Sequence, residues 1–264
     1  MKVAILYICT GKYSKFFEGF YSSAEQYLLR DAEKTYFVWT DDDSLGTGKD
    51  NVRLYHKECA GFPKDSLFRF EMFMKAEQEL KQYDYIYFFN SNALIMQPVG
   101  DELLPDETGL AMGIWPGKAQ ARPAMFYPYE RNKKSLAYVA PYGGNYIYFM
   151  GGLNGGTASA YLEMIRTLRK NIQDDYNRGI IACVHDESHI NAYLRKHPCK
   201  VLGRDGYVMP EEWIKEDAPK PHIIFRNKVL IDPYYNKGRK FTLSARIKKA
   251  SQKLCNAARW YLLI

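Results

Sequence analysis

Several things are scarce in this sequence, and each absence excludes a class of protein. No apolar run approaches the roughly 20 residues that cross a bilayer. The opening Met1-Lys2-Val3-Ala4-Ile5-Leu6-Tyr7-Ile8-Cys9-Thr10 has one basic residue and too short an apolar stretch for a leader peptide, and reads as a first strand. Secretion and membrane spanning are therefore not expected. The five cysteines (Cys9, Cys59, Cys183, Cys199, Cys255) are odd in number and contain no Cys-x-x-Cys pair. That excludes a disulfide framework and a cysteine zinc site, and points to a reducing, cytoplasmic setting. No Walker loop and no Gly-x-Gly-x-x-Gly follows a strand, so P-loop and dinucleotide chemistry have no support. Internal repeats and low-complexity segments are absent too.

What is present is a chain of 264 residues, 47% hydrophobic and 25% charged, enough to bury a sizeable core in one α/β domain. Aromatic residues reach 15%, with 22 Tyr, 14 Phe and 4 Trp, side chains suited to clefts that hold rings or sugars. The net charge of +7 is concentrated in the tail: Arg226 to Ile264 holds ten Lys and Arg against the single acid Asp232, leaving −2 on the preceding 225 residues. A nucleic-acid reader would carry such charge on its folded body, so no nucleic acid is expected as a partner. The expected organisation is a domain over 1–225, with a nucleotide-binding half at 1–100 and a sugar and acceptor half at 101–225, followed by a basic tail at 226–264.

Hydrophobic periodicity predicts strands at Lys2–Cys9, Tyr36–Thr40, Val52–Tyr55 and Tyr85–Phe89, and helices at Ser14–Arg30 and Lys64–Gln82. The run Tyr85-Ile86-Tyr87-Phe88-Phe89 is apolar throughout, as in a sheet covered on both faces. This alternation argues for an open, mostly parallel sheet. Further strands are expected at Gly109–Ile114, Tyr146–Met150 and His222–Phe225, with helices at Thr157–Ile172 and Glu187–Lys196.

Asn90-Ser91-Asn92 leaves the carboxyl end of the all-apolar strand, where open α/β sheets collect their ligands. Residues separated by one share a face in extended chain, so both amides point the same way; the alternative is an ordinary strand-ending turn. In His185-Asp186-Glu187-Ser188-His189, Asp186 is placed to cap a helix. Glu187 would follow in the first turn, where the helix dipole favours an ionised carboxylate able to act as nucleophile or to stabilise a developing cation. His185 and His189 have i, i+4 spacing, but no third metal ligand is evident. Met150-Gly151-Gly152-Leu153-Asn154-Gly155-Gly156 reads as a strand-to-helix turn whose glycines allow close backbone approach. In the tail, Ile247, Ala250, Leu254, Ala258, Tyr261 and Leu262 share a helical face opposite basic residues. That describes either a helix on an anionic membrane surface or a solvated helix packed on the domain.

Taken in order, eight segments resemble the ABO blood-group and α-1,3-galactosyltransferase family, glycosyltransferase family 6, between about Val3 and about Trp213. They are Tyr7–Tyr13, Phe37–Asp41, Ser66–Met72, Asp84–Asn92, Trp115-Pro116-Gly117, Tyr129-Glu130-Arg131 with Ala137-Tyr138, Met150–Gly156 and His185–Asn191. The resemblance implies a GT-A (Rossmann-like) fold and retaining transfer of galactose or N-acetylgalactosamine from UDP to a 3-hydroxyl of an acceptor glycan. By position, Ile8, Thr10 and Tyr13 would line the uridine pocket. Arg69 would reach the donor-sugar region, and Asp186 would hydrogen-bond donor hydroxyls. Glu187 would be the catalytic carboxylate, forming a glycosyl-enzyme or stabilising an ion pair. Met150 and Gly152, flanking Gly151, would sort donor sugars, the missing side chain at Gly152 leaving room for an acetamido group.

The sequence departs from the vertebrate pattern at Asn90-Ser91-Asn92, which replaces Asp-Val-Asp. Hard divalent cations prefer anionic oxygen, so the resemblance to the bacterial members with Asn-x-Asn implies no metal and no other cofactor. The diphosphate would instead meet Arg226, Lys228, Lys237, Arg239 or Lys240. On the acceptor side, Trp115 stands where the ABO enzymes have His, Val184 where they have Trp, and Asp205 near their acceptor-binding acid. The implied enzyme is cytoplasmic or peripheral on the inner membrane, acting on a surface-polysaccharide or lipid-linked glycan. A Mn²⁺-dependent hexosyltransferase of the same fold, a sugar nucleotidyltransferase and a non-catalytic glycan-binding or membrane-surface module are the competing readings; the single Lys12 after the first strand disfavours the nucleotidyltransferase.

Overall fold

The computed structural model describes residues 1–115, 123–144, 146–203, 207–215, 217, 220–236, 251, 254–255 and 257–262. Its centre is a seven-stranded sheet in the order β3-β2-β1-β4-β7-β6-β8. The strands are β1 (Lys2–Ile8), β2 (Glu33–Thr40), β3 (Val52–His56), β4 (Tyr85–Phe89), β6 (Leu110–Ile114), β7 (Phe149–Thr157) and β8 (Lys200–Leu202). β1 pairs in parallel with β2 and β4, β2 with β3 and β6 with β8, whereas β7 runs antiparallel to both its neighbours. The sheet is thus mostly parallel, as the alternation predicts. A second sheet, β5-β10-β9, joins β5 (Ala93–Ile95), β10 (Ile223–Phe225) and β9 (Val208–Pro210).

Alternation along β1 divides the core. Val3, Ile5 and Tyr7 pack with Phe17, Phe20 and Ala24 of α1 (Phe17–Tyr27). Ala4 and Leu6 face the other way, onto Phe70 and Phe73 of α3 (Arg69–Lys75) and onto Tyr161, Ile165 and Leu168 of α5 (Ala158–Asn177). Period-2 side-chain direction in a strand covered on both faces requires this split.

Three expectations are corrected. The helix expected over Ser14–Arg30 opens as a 3-10 turn, Gly11–Phe16, and becomes α-helical only at Phe17. The helix expected over Lys64–Gln82 is three pieces, α2 (Lys64–Leu67), α3 and α4 (Glu77–Leu80), interrupted at Phe68 and Ala76. At both breaks the ladder tightens to i→i−3 bonds, Glu71 N–H to Phe68 O and Ala76 N–H to Phe73 O. The glycine-rich segment is no turn: it forms the nine-residue central strand β7, and the helix starts only after Thr157, which caps α5 by accepting from Ala160 N–H. Its glycines serve lateral packing, since a Cβ at Gly155 would collide with the Tyr87 ring and the Ile86 carbonyl, and one at Gly156 with the Gly109 carbonyl.

No described helix is long and apolar enough to cross a membrane. In the tail, residues 257–262 are helical and dock on the body through Ala257 and Trp260, whose indole N–H donates to Val139 O (2.8 Å). Leu254, Ala258 and Leu262 of the expected apolar face are exposed, so the docked stripe is offset from it. Ile247 and Ala250 of that face, with Lys237, Arg239, Lys240 and Asp205, lie outside the described residues.

Candidate active site

Strand order reverses between β1 and β4, and a cleft opens beyond their carboxyl ends, the place where an open α/β sheet binds ligands. It comprises three connected cavities of about 350, 500 and 690 Å³, each lined in part by Phe62 and Lys228. The smallest is lined by Ile8, Thr10, Tyr13, Arg69 and Asn90, the middle one by Asn90, Asn92, Gly151, Gly152, Val184, Asp186 and Glu187, and the largest by Trp115, Tyr148, Glu187, Trp213 and Arg226.

The smallest cavity is shaped by the turn after β1. Gly11 there has φ of +56°, strained for any other residue, and donates its N–H to Asp41 Oδ1 (2.7 Å). Asp65 ties the opposite wall to this turn, accepting from Thr10 Oγ1 (3.1 Å), Gly61 N–H (2.9 Å) and Lys57 Nζ (2.9 Å). The Tyr13 ring lies 4.8 Å from that of Tyr235, and the Lys228 ammonium 4.8 Å from its centre. The segment holding Lys228 and Tyr235, α7 (Lys228–Ile231) and the following turn, is fastened over the cavity by Asp232, which meets Lys15 at 2.8 Å and Lys12 at 3.6 Å. Those lysines, with the Tyr234 N–H, hold the Asp232 carboxyl down at about 2.

The middle cavity carries the acidic chemistry. α6 (His185–Tyr193) places Asp186 and Glu187 in its first turn. Asp186 does not cap the helix: Val184 is the N-cap residue, its N–H donating to Ser188 Oγ (3.0 Å), because Asp186 turns inward to Arg69. Arg69 Nε stands 3.0 Å from Asp186 Oδ2 as an ion pair rather than an aligned hydrogen bond, and another guanidinium nitrogen donates to Gly151 O (2.7 Å). Nη2 of Arg69 is buried without a partner among the described residues. Burial pushes the Asp186 carboxyl up, and Arg69 opposes that shift.

Glu187 accepts from the Tyr148 hydroxyl (2.5 Å) at one oxygen and from the Gly151 N–H (2.5 Å) at the other. Burial dominates its titration and raises the carboxyl to about 7, against the pull of those two donors. Two amides hold this arrangement. Asn191, one turn after Glu187, bonds both the N–H and the carbonyl of Phe149 (2.9 Å each), stitching α6 to β7. Buried Asn154 donates to Gly151 O (3.0 Å) and accepts from Tyr161 (2.7 Å). A Cβ at Gly151 would stand 3.2 Å from Glu187 Oε2, so a side chain there would crowd the carboxylate.

Asn90 and Asn92 do share a face: Asn90 Nδ2 donates to Asn92 Oδ1 (2.9 Å), and Asn92 Nδ2 to Arg226 O (2.7 Å). The pair therefore presents no carboxylate and has three of its four side-chain polar atoms already engaged, a poor fit to a hard divalent cation. Among the described residues no three His, Cys, Asp or Glu side chains are placed together for a metal. The two histidines face different neighbours, His185 against the Phe62 ring and His189 buried 3.7 Å from Asp175, where burial lowers its imidazole to about 4.

Two expected donor-sorting positions differ from their sequence picture. Met150 is wholly buried in the core and lines none of the three cavities. The room expected beside Gly152 is occupied by Phe225, whose ring carbons lie 3.0 Å from where a Cβ would stand. Arg226 is half-buried, its guanidinium over the Phe16 ring and donating to Phe16 O (2.9 Å). Sequence reasoning missed Tyr148, Asp65, Asn154 and Phe225. Only Asn154, a polar residue inside a strand-and-glycine run, had a local signal.

The cleft at the switch point thus brings an acidic pair on a helix start together with paired amides at a strand end. The sequence comparisons give its class. The chain matches the model of glycosyltransferase family 6 over residues 1–224. It is 34% identical over 229 residues to the O-antigen biosynthesis glycosyltransferase WbnI of Escherichia coli, covering 86% of this chain and 95% of that protein. With the globoside alpha-1,3-N-acetylgalactosaminyltransferase 1 of Mus musculus it shares 30% over 230 residues, covering 84% of this chain and 63% of that protein. With the histo-blood group ABO system transferase 1 of Rattus norvegicus it shares 32% over 200 residues, 72% of this chain and 56% of that protein, so it spans less than two thirds of either mammalian relative. The chain belongs to glycosyltransferase family 6. It is a glycosyltransferase of GT-A architecture, taking a nucleotide-sugar donor and a glycan acceptor.

Proposed function

We propose that this chain transfers galactose or N-acetylgalactosamine from UDP, with retention, to a 3-hydroxyl of an acceptor glycan, and that it does so without a metal. The observation that carries the reading is Glu187, fixed by Gly151 and Tyr148 on the wall shared by the middle and largest cavities. Uridine lies in the smallest cavity against Ile8, Thr10 and Tyr13. The sugar occupies the middle one, where Arg69 with its unsatisfied Nη2, Asp186 and Asn90 supply hydrogen bonds. As the bond from the anomeric carbon to the phosphate oxygen breaks, the Glu187 carboxylate stabilises the positive charge there, as an ion pair or through a transient covalent bond. The acceptor hydroxyl then bonds to the anomeric carbon on the leaving-group face, and its proton passes to the departing phosphate.

The diphosphate gains charge as it leaves, and Lys228, on the wall of all three cavities, is the described cation best placed to meet it. The amides at Asn90 and Asn92 support metal independence, because they leave a divalent ion no anionic ligand there. The aromatic largest cavity, with Trp115 and Trp213 rings 6.2 Å apart, suits the acceptor glycan. The name of WbnI supports a surface polysaccharide as the acceptor's class. UDP release from UDP-galactose and UDP-N-acetylgalactosamine, measured with and without acceptor sugars and followed by NMR of the product, tests this. Acceptor-dependent release and an α-1,3 product are expected. Glycan binding with no turnover, or a β-linked product, would refute it.

A further inference from the structure

Asn92 is the second amide of the Asn-x-Asn pair, yet its side-chain nitrogen donates to the backbone carbonyl of residue 226. β5 and β10 pair antiparallel as far as Ala93 opposite Phe225. One residue further, Arg226 N–H donates to Asn92 O (2.8 Å), and Asn92 Nδ2 returns the bond to Arg226 O (2.7 Å). The side-chain amide thus stands in for the backbone N–H that a regular hydrogen-bonded pair would use. Asn90 Nδ2 orients it by donating to Asn92 Oδ1 (2.9 Å). Two residues beyond this clamp, Lys228 opens α7. Asn227 in between is held as well, its N–H donating to Glu211 (2.6 Å) and its side chain capping Val229 N–H (3.1 Å). Since two residues span about 7 Å at most, the place where Lys228 emerges is set by where residue 226 is held.

We propose that Asn92 is a positioning residue, which fixes Lys228 at the diphosphate by pinning the Arg226 carbonyl, and is itself a ligand of neither donor nor metal. This rests on the diphosphate role proposed above for Lys228. It also gives the amide at 92 a reason beyond the absence of a metal. Aspartate has the same shape but no donor, and it would set a buried carboxylate oxygen against the Arg226 carbonyl, repelling the strand end that carries Lys228.

The test is a double-mutant cycle on the whole chain, with UDP and uridine as probes, titrated calorimetrically in excess EDTA so that a new carboxylate recruits no ion. Lys228→Ala and Asn92→Asp are each expected to weaken UDP binding about tenfold, the size of one hydrogen bond to a charged group. Uridine affinity should stay unchanged in both, which a general structural defect would not allow. The double variant should bind UDP no more than about twofold worse than Lys228→Ala alone. Asn92→Ser, uncharged and smaller, should behave like Asn92→Asp, and carries the cycle should the aspartate variant not fold. Losses that multiply towards about a hundredfold, or wild-type UDP affinity in both Asn92 variants, would overturn the coupling while leaving the role of Lys228 intact. Unchanged UDP affinity in Lys228→Ala would overturn both.

Discussion

Glu187 combines two demands that oppose each other. The catalytic role proposed for it requires the carboxylate to be charged, whereas its burial between α6 and β7 favours the neutral form and lifts it to about 7. The Tyr148 hydroxyl and the Gly151 N–H favour the anion, so they hold the carboxyl lower than burial alone would set it. Glu187→Gln keeps the shape but not the charge, and should cost about a hundred- to a thousandfold in transfer rate while UDP still binds. Near-wild-type turnover would remove Glu187 from its role. The ionised fraction declines as pH falls below about 7, so kcat/KM of the native enzyme should drop on the acid side, approaching tenfold per pH unit. Tyr148→Phe deletes one donor to the anion and should move that limb to higher pH. A limb that stays in place would mean the hydroxyl does not tune the carboxylate.

β7 shows best what could be read in the sequence and what could not. Tyr85–Phe89, apolar along its length, announces a strand buried on both faces, and β4 is one. Met150–Gly156 announces a turn by composition, yet it is the sheet's central antiparallel strand, because Tyr87 and the Ile86 and Gly109 carbonyls occupy the space that side chains would take. Such a constraint comes from neighbours distant in the chain, and no local pattern encodes it. The same holds for Asp186, whose spacing suits a helix cap but whose carboxylate is drawn to Arg69 of α3. The acidic pair and the amide pair were legible as motifs, whereas Tyr148 and Asp65 became part of the site only through tertiary contact. Gly155→Ala should therefore destabilise the fold by about 3 kcal/mol, the upper end of core overpacking, read as a fall in the urea midpoint. Gly151→Ala should lower activity more than stability, because its Cβ would meet the Glu187 oxygen at 3.2 Å.

Across the molecule, the cleft is closed by chain that is remote in sequence. β10 carries the strand end at Arg226 to Asn92, and Asp232 fastens the following segment to Lys12 and Lys15. Asp232→Asn removes that fastening charge and should raise the donor KM severalfold with little change in kcat. Since the Asp232 carboxyl is held near 2, the native latch should persist to pH 4, and an equal KM in the variant would show that the segment is held otherwise. The wider proposal is that amides and lysines do together what a metal with carboxylates does elsewhere. Its most direct measurement is transfer by chelator-dialysed enzyme in excess EDTA, followed by readdition of Mn²⁺. Rates unchanged by either treatment are predicted; activity lost on chelation and restored by Mn²⁺ would contradict the account.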